Sequence, residues 1–169
     1  MNISLIGMSG AGKSATAREL AKHMDAALIE VDTLIEQQTG ETLAKTLERL
    51  GEEAFVTLEA AAVFALAPGT DSIISTGGSV VLSPGAMARL AQISTIVYLR
   101  VPFETIEARI GAGGGRGIVG LGRKTLHQLY DERLPLYERH AHITVSAAKE
   151  TPERITRRIC AELGTKRGG

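Results

Sequence analysis

An α/β fold built on a parallel sheet is the fold class this sequence predicts. Three observations carry it. Short apolar runs with strand character alternate with helix-periodic stretches along the chain. A glycine loop joins the first strand to the first helix. Capping residues open several of the helices that follow.

The elements read in order. Asn2-Ile3-Ser4-Leu5-Ile6 is the first strand, and behind the glycine loop Ala17, Leu20, Ala21 and Met24 fall on one helix face. Ala27-Leu28-Ile29-Glu30-Val31 is the second strand. Thr33 and Glu36 then form a capping box for a short helix stopping at Gly40. Thr42 starts a helix with Leu43, Leu47 and Leu50 on one side, ending at Gly51. From Glu52 a helix is predicted to about Leu66, with Phe55, Leu58, Ala62 and Ala65 inward, closed by Pro68-Gly69. Asp71 to Ser75 and Thr95 to Leu99 are the third and fourth strands, with a helix from Pro84 between them and another opened by Pro102. In the stretch from Gly111 to Gly122 seven of twelve residues are glycine, which predicts a mobile loop rather than a packed element. Thr125-x-x-Gln128 caps a helix that Pro135 is expected to end. Ile143-Thr144-Val145 is the fifth strand, and Thr151-Pro152 supplies an N-cap and first-turn proline for the last helix.

The glycine loop is Gly7-Met8-Ser9-Gly10-Ala11-Gly12-Lys13-Ser14, a full G-x-x-x-x-G-K-[ST] pattern. Chance produces it in under roughly 1% of chains this long, and here it has the strand before and the helix after that the chemistry needs. Backbone N–H groups converge there on phosphate oxygens, aided by the positive helix N-terminus. Gly10, Ala11, Gly12, Lys13, Ser14 and Ala15 are the expected contacts of a nucleoside triphosphate. Lys13 reaches toward the β- and γ-phosphates, and the Ser14 hydroxyl is the expected Mg²⁺ ligand.

Composition narrows the rest. The 169 residues read as one domain, and 19 basic against 19 acidic side chains point to neither nucleic acid nor a membrane as partner. No run reaches the roughly 18 apolar residues of a membrane span, and no cleavable leader is legible. The one cysteine, Cys160, fits a reducing, cytoplasmic setting and reads as a buried, inert thiol. His23, His127, His140 and His142 lack metal-site spacing, so the Mg²⁺ accompanying the nucleotide is the only metal expected. Asp32 after the second strand and Thr76-Gly77-Gly78-Ser79 after the third lie where open parallel sheets gather ligands.

Together these segments make the chain resemble a shikimate kinase, one of the small phosphate-loop kinases similar to nucleoside monophosphate kinases. The resemblance runs from about residue 3 to residue 160. Besides the phosphate loop, the family's D-x-D-x-x-I-E is met by Glu30 to Glu36, and its G-E-x-x-F-R-x-x-E by Gly51 to Glu59. Its T-G-G-G is met by Thr76 to Ser79, its lid by Arg109 and then Arg116 to Val119, and its R-x-P-L-Y by Arg133 to Tyr137.

The resemblance implies a three-layer phosphate-loop kinase fold with a five-stranded parallel sheet. It also implies a lid at about 111–122 and a substrate-binding helical region at about 32–66, within a single domain of 1–169. It implies transfer of the γ-phosphoryl group of ATP to the 3-hydroxyl of shikimate, within aromatic amino acid biosynthesis, by a cytoplasmic monomer. Lys13, Asp32 and Arg116 become the catalytic residues, with Arg109, Arg116 and Pro152 joining the ATP contacts. Asp32, Gly77, Gly78 and Arg133 become the substrate contacts, Arg133 through a two-pronged pair with the carboxylate.

Departures stand beside the match. Val56 replaces the family's second carboxylate-binding arginine and leaves Glu59, three residues on, without that neighbour. Glu30 replaces an aspartate near Mg²⁺, Ser79 replaces the third glycine, and the lid lacks its usual proline. Two outcomes remain open from the residues: Arg133 suffices for shikimate, or the pocket takes a hydroxylated compound without that carboxylate.

Overall fold

The structure, a computed structural model, describes residues 1–114 and 117–167. Five strands, β1 (Ile3–Ile6), β2 (Ala27–Glu30), β3 (Ser72–Ser75), β4 (Thr95–Arg100) and β5 (Ile143–Ser146), pair in parallel in the order β2-β3-β1-β4-β5. Central β1 and β3 are buried along their whole length, as a sheet covered on both faces requires. Edge strand β5 alternates buried Ile143 and Val145 with exposed Thr144 and Ser146, the period-2 pattern of a half-covered strand.

The flanking helices are α1 (Lys13–Met24), α2 (Val31–Thr39), α3 (Leu43–Leu50), α4 (Glu52–Phe64), α5 (Pro84–Ile93), α6 (Phe103–Arg109), α7 (Leu126–His140) and α8 (Pro152–Arg167). Helix α1 packs on α8, and α4 on α2, α3 and α5. Inward residues such as Leu20, Met87, Leu90 and Ile159 are fully buried, each worth about 1.5–3 kcal/mol of transfer free energy. Among the described residues no helix is long and apolar enough to cross a membrane.

The sheet order positions the site. The chain leaves β1 for β2 on one side and later crosses to β4 and β5 on the other. The order therefore reverses beside β1, and the crevice beyond the strand carboxyl ends there is where such sheets take ligands. Register brings Leu5 level with Ser75 and Val97, and Glu30 level with Ser75. The loops that carry the glycine motif, Asp32 and Gly77 thus emerge side by side.

Several sequence expectations are corrected. Helix α2 begins at Val31 rather than at Thr33, because Val31 turns directly into the core and is fully buried. No capping box forms there. Glu36 instead accepts from the Leu43 amide at 3.0 Å, so it satisfies the start of α3 while Thr42 accepts from the Lys45 amide. Helix α4 ends at Phe64 and leaves Ala65 exposed, while its inward stripe includes Glu59 with Phe55, Ala62 and Val63. Cys160 is half-buried against the core rather than sealed, and burial raises its thiol pKa.

Pro135 does not end α7, which continues to His140. A helix-interior proline forfeits one backbone hydrogen bond and costs about 3 kcal/mol. Contacts on both sides of it hold the helix together. Arg133 and Tyr137 are 2% and 1% exposed, and the Tyr137 ring stacks on Tyr98 with centroids 5.1 Å apart. The Tyr137 hydroxyl donates to the Gly78 carbonyl at 2.5 Å.

The glycine-rich stretch is less open than its composition predicts. Ile110–Gly114 continues α6 as a π-helical turn, and Ile118 and Val119 are buried. Gly117 lies so close to α3 that a β-carbon on it would stand 3.2 Å from the Ala44 nitrogen. Glu52 accepts from the Gly120 amide at 3.1 Å and pairs with Arg123.

Tyr137→Phe tests the link from α7 to the Gly78 turn. It keeps the stacked ring but leaves the buried Gly78 carbonyl without that donor, so it should cost about 1–2 kcal/mol. Urea unfolding should show a lower midpoint at unchanged slope.

Candidate active site

A cleft of about 340 Å³ opens at the carboxyl ends of β1 and β3. Its floor is the glycine loop. Gly10 and Gly12 sit in the left-handed region (φ 81° and 89°), and no side chain caps the first turn of α1. The N–H groups of Lys13, Ser14 and Ala15 are the ones such a turn leaves without helical partners, so they are available to an anion. Lys13 is buried and folds back over the loop, its Nζ donating to the carbonyls of Gly7 at 2.7 Å and Met8 at 3.0 Å. Burial drives its pKa down to about 8, against the pull of Asp32 and Glu59.

Among the described residues three charged side chains are buried, Lys13, Glu59 and Arg133, and all three line this cleft. Asp32, half-buried in the first turn of α2, joins them. Burial raises its pKa, with Lys13 opposing the shift. Glu59 is raised further, to about 7, chiefly by burial and against the hydrogen bond from Ser79.

The glycines of the β3 turn are there because of close approach. A β-carbon on Gly77 would lie 2.1 Å from Glu59 Oε1 and 3.1 Å from Asp32 Oδ1. One on Gly78 would lie 2.7 Å from Ser9 Oγ and 2.9 Å from the Ser9 nitrogen. The first faces the carboxylates and the second the phosphate loop. Ser79, by contrast, has φ −91° and needs no glycine, so the departure at that position costs no backbone strain.

Arg133 reaches the cleft from α7, donating to the Val119 carbonyl at 2.5 Å and making a long contact with the Gly78 carbonyl at 3.5 Å. The guanidinium carries five N–H donors in all, which leaves capacity for a ligand. Arg109 donates to the Gly10 carbonyl at 2.9 Å and so lies over the glycine loop, outside the cleft proper. Pro152 is half-buried at the first position of α8 and does not line the cleft; Ala11 is buried beneath the loop. Arg116 lies outside the described residues. Glu30 does not line this cleft and accepts two bonds from Arg18, at 3.0 and 3.2 Å.

Sequence reasoning missed part of the acceptor side of this cleft. Leu43, Phe55, Ser79, Gly117, Ile118 and Val119 line it as well. Glu59 enters the sequence reading only as a charge left without its neighbour at position 56; its burial and its bond from Ser79 show only in the fold. Nothing local to Ile118 and Val119 marks them as cleft wall.

A glycine loop with a buried lysine, set beside a pocket of two carboxylates and one arginine in a β2-β3-β1-β4-β5 parallel sheet, defines a phosphate-loop kinase of small molecules. The shikimate kinase family model matches residues 9–164. A shikimate kinase of Thermobifida fusca is 36% identical over 160 residues, covering 94% of this chain and 92% of its own. Among solved structures, the shikimate kinase of Acinetobacter baumannii in complex with shikimate superposes with a TM-score of 0.88 at 28% identity, over 98% of this chain and 93% of that one. The Aquifex aeolicus shikimate kinase gives 0.85 at 27% identity over the full length of both. This chain belongs to the shikimate kinase family.

The two glycines of the β3 turn should separate the two halves of the site. Overpacking at either costs about 1–3 kcal/mol. Gly77→Ala should weaken acceptor binding about tenfold or more while sparing nucleotide affinity. Gly78→Ala should weaken nucleotide affinity as well, because its β-carbon would crowd Ser9 of the glycine loop, and steady-state KM values for both substrates read the difference.

Proposed function

We propose that this protein binds ATP on the glycine loop and transfers its γ-phosphoryl group to the 3-hydroxyl of shikimate. The observation that carries the reading is the meeting of Lys13, Asp32, Glu59 and Arg133 in one cleft beside that loop. In the transfer, the bond from the γ-phosphorus to the β,γ-bridging oxygen breaks and one to the acceptor oxygen forms. The acceptor proton passes to Asp32, and ADP leaves. Positioning and charge stabilisation supply most of the rate in such reactions. Lys13 neutralises charge on the β- and γ-phosphates, joined by Arg116 from the lid at about 111–122. Asp32, raised by burial, orients the hydroxyl and takes up its proton. Arg133 holds the carboxylate, and Gly77 and Gly78 let the ring approach the backbone. Arg109 and Pro152 frame the adenine.

Mg²⁺ fits this arrangement as an ion that arrives with the nucleotide. No cluster of three or more His, Cys, Asp or Glu side chains among the described residues forms a cage of its own. The exposed Ser14 hydroxyl at the start of α1 is one hard oxygen donor, which with phosphate oxygens and water suits Mg²⁺. When bound, the ion shields charge on the transferring group. Glu30 is paired with Arg18. We infer further that the chain works as one kinase domain and as a monomer in the cytoplasm, on small molecules alone.

A second reading is favoured by one observation. Val56 supplies no cation to the acceptor side, where Glu59 is buried. The pocket then serves a hydroxylated acceptor without the shikimate carboxylate. ADP release with Mg-ATP across a panel of polyols, sugar acids and shikimate decides between them. Fastest turnover on shikimate is expected, and Val56→Arg should tighten shikimate binding by about ten- to a hundred-fold. Faster turnover on another acceptor, with no gain from Val56→Arg, establishes the second reading.

Nucleotide binding should also move a proton. Lys13 loses its charge as pH rises through about 8 in the free protein, and a polyphosphate beside it restores that charge. ATP binding at about pH 8.5 should therefore take up a proton, and at about pH 7 it should not. Calorimetry in buffers of different ionisation enthalpy measures this. Equal proton exchange at both pH values would place Lys13 away from the phosphates.

A further inference from the structure

Glu59 is held by a bond that its own helix does not supply. Its neighbours one turn away along α4 are Phe55, Val56, Ala62 and Val63, none of which donates a side-chain hydrogen bond. The partner comes from another element: the Ser79 hydroxyl, 6% exposed, donates to Glu59 Oε2 at 2.6 Å. Ser79 is itself fixed, since it opens the short 3₁₀ turn Val80–Leu82, whose Val80 and Val81 are buried. Its backbone is in an ordinary right-handed conformation, so what this position contributes is the hydroxyl. With Oε2 engaged, Oε1 stands over Gly77, within 2.1 Å of where a β-carbon would be, on the same side as Asp32 Oδ1. Two carboxylate oxygens from two helices therefore face one patch of the cleft.

We propose that Ser79 is a positioning residue of the acceptor subsite, its hydroxyl pinning the Glu59 carboxylate over Gly77 so that Oε1 accepts a hydroxyl of the bound acceptor. This rests on the kinase reading above and adds to it a recognition element. Asp32 takes the reacting hydroxyl, and the Ser79–Glu59 pair takes a neighbouring one, which selects acceptors carrying at least two hydroxyl groups. The pair also keeps Glu59 ionised more readily than burial alone would. The charged groups facing it are Asp32 from α2, Lys13 from α1 and Arg133 from α7. Gly117, Ile118 and Val119, the cleft wall beyond α7, bring no charge.

Ser79→Ala and Ser79→Thr test this, with kinetics on both substrates across the neutral range. In Ser79→Ala the acceptor KM should rise about tenfold, with kcat and the KM for ATP nearly unchanged. Ser79→Thr, which keeps the hydroxyl, should restore it. Because the ionised carboxylate is the hydroxyl acceptor, the acceptor KM should climb as pH falls through about 7, and in Ser79→Ala that climb should begin at higher pH. Carbon-13 NMR of glutamate-labelled protein, with Glu59→Gln to assign the resonance, reads the same ionisation without any acceptor. Its midpoint should move up in Ser79→Ala. An unmoved midpoint, an unchanged acceptor KM, or a parallel loss of kcat and nucleotide affinity would overturn the proposal. Failure of the unaltered protein to phosphorylate shikimate would strike the acceptor assignment alone, since a diol acceptor from the panel and the NMR titration would still report on Ser79.

Discussion

Burying charge at the carboxyl end of the sheet is the constraint from which the rest of this structure follows. An isolated ammonium, guanidinium or carboxylate in an apolar interior costs several kcal/mol even after relaxation. Lys13, Glu59 and Arg133 are tolerated because they are buried together, with Asp32 beside them, so that two positive and two negative groups offset one another. Each is also tied to a neutral partner: Lys13 to the Gly7 and Met8 carbonyls, Glu59 to Ser79, Arg133 to Val119. The balance is incomplete on its own terms. Lys13 is depressed to about 8 and Glu59 raised to about 7, so each group sits near its own neutralisation.

The scaffold serves that cluster through strand register and helix α7. Parallel pairing places the ends of β1, β2 and β3 level, so the glycine loop, Asp32 and the Gly77-Gly78 turn meet at one height. Helix α7 then spans from the acceptor side to the glycine-rich segment. Arg133 bonds the Val119 carbonyl and Tyr137 bonds the Gly78 carbonyl, so one helix holds both walls of the cleft. Glu52 holds the Gly120 amide and Arg123 from α4. The segment after residue 116 is thus tied to three helices, α3, α4 and α7, despite its glycine content.

Two departures from the family pattern acquire physical content in three dimensions. Ser79 in place of glycine costs nothing in backbone terms and gives a buried carboxylate its donor. Glu30 in place of aspartate forms a two-bond pair with Arg18 of α1. In both cases the substituted side chain found a partner that lies elsewhere in the fold, and the partner rather than the residue type decides what the substitution does.

What the sequence by itself determined is whatever depends on local periodicity and on the chemistry of contiguous residues. All five strands, the glycine loop with Lys13 and Ser14, the Thr125–Gln128 capping box and the proline-led last helix were legible, because each is specified within a few residues. Asp32, Gly77, Gly78 and Arg133 were legible through their motifs, and the structure gathers them at one cleft. Only the tertiary structure decided the rest. It carried α7 through Pro135, with the helix beyond the proline anchored by the stacking of Tyr137 on Tyr98 and the bond to Gly78. It turned Glu59 inward with Ser79, twenty residues away, and made Ile118 and Val119 part of a wall. Those outcomes hang on contacts between elements distant along the chain, and no local pattern records which distant group will arrive.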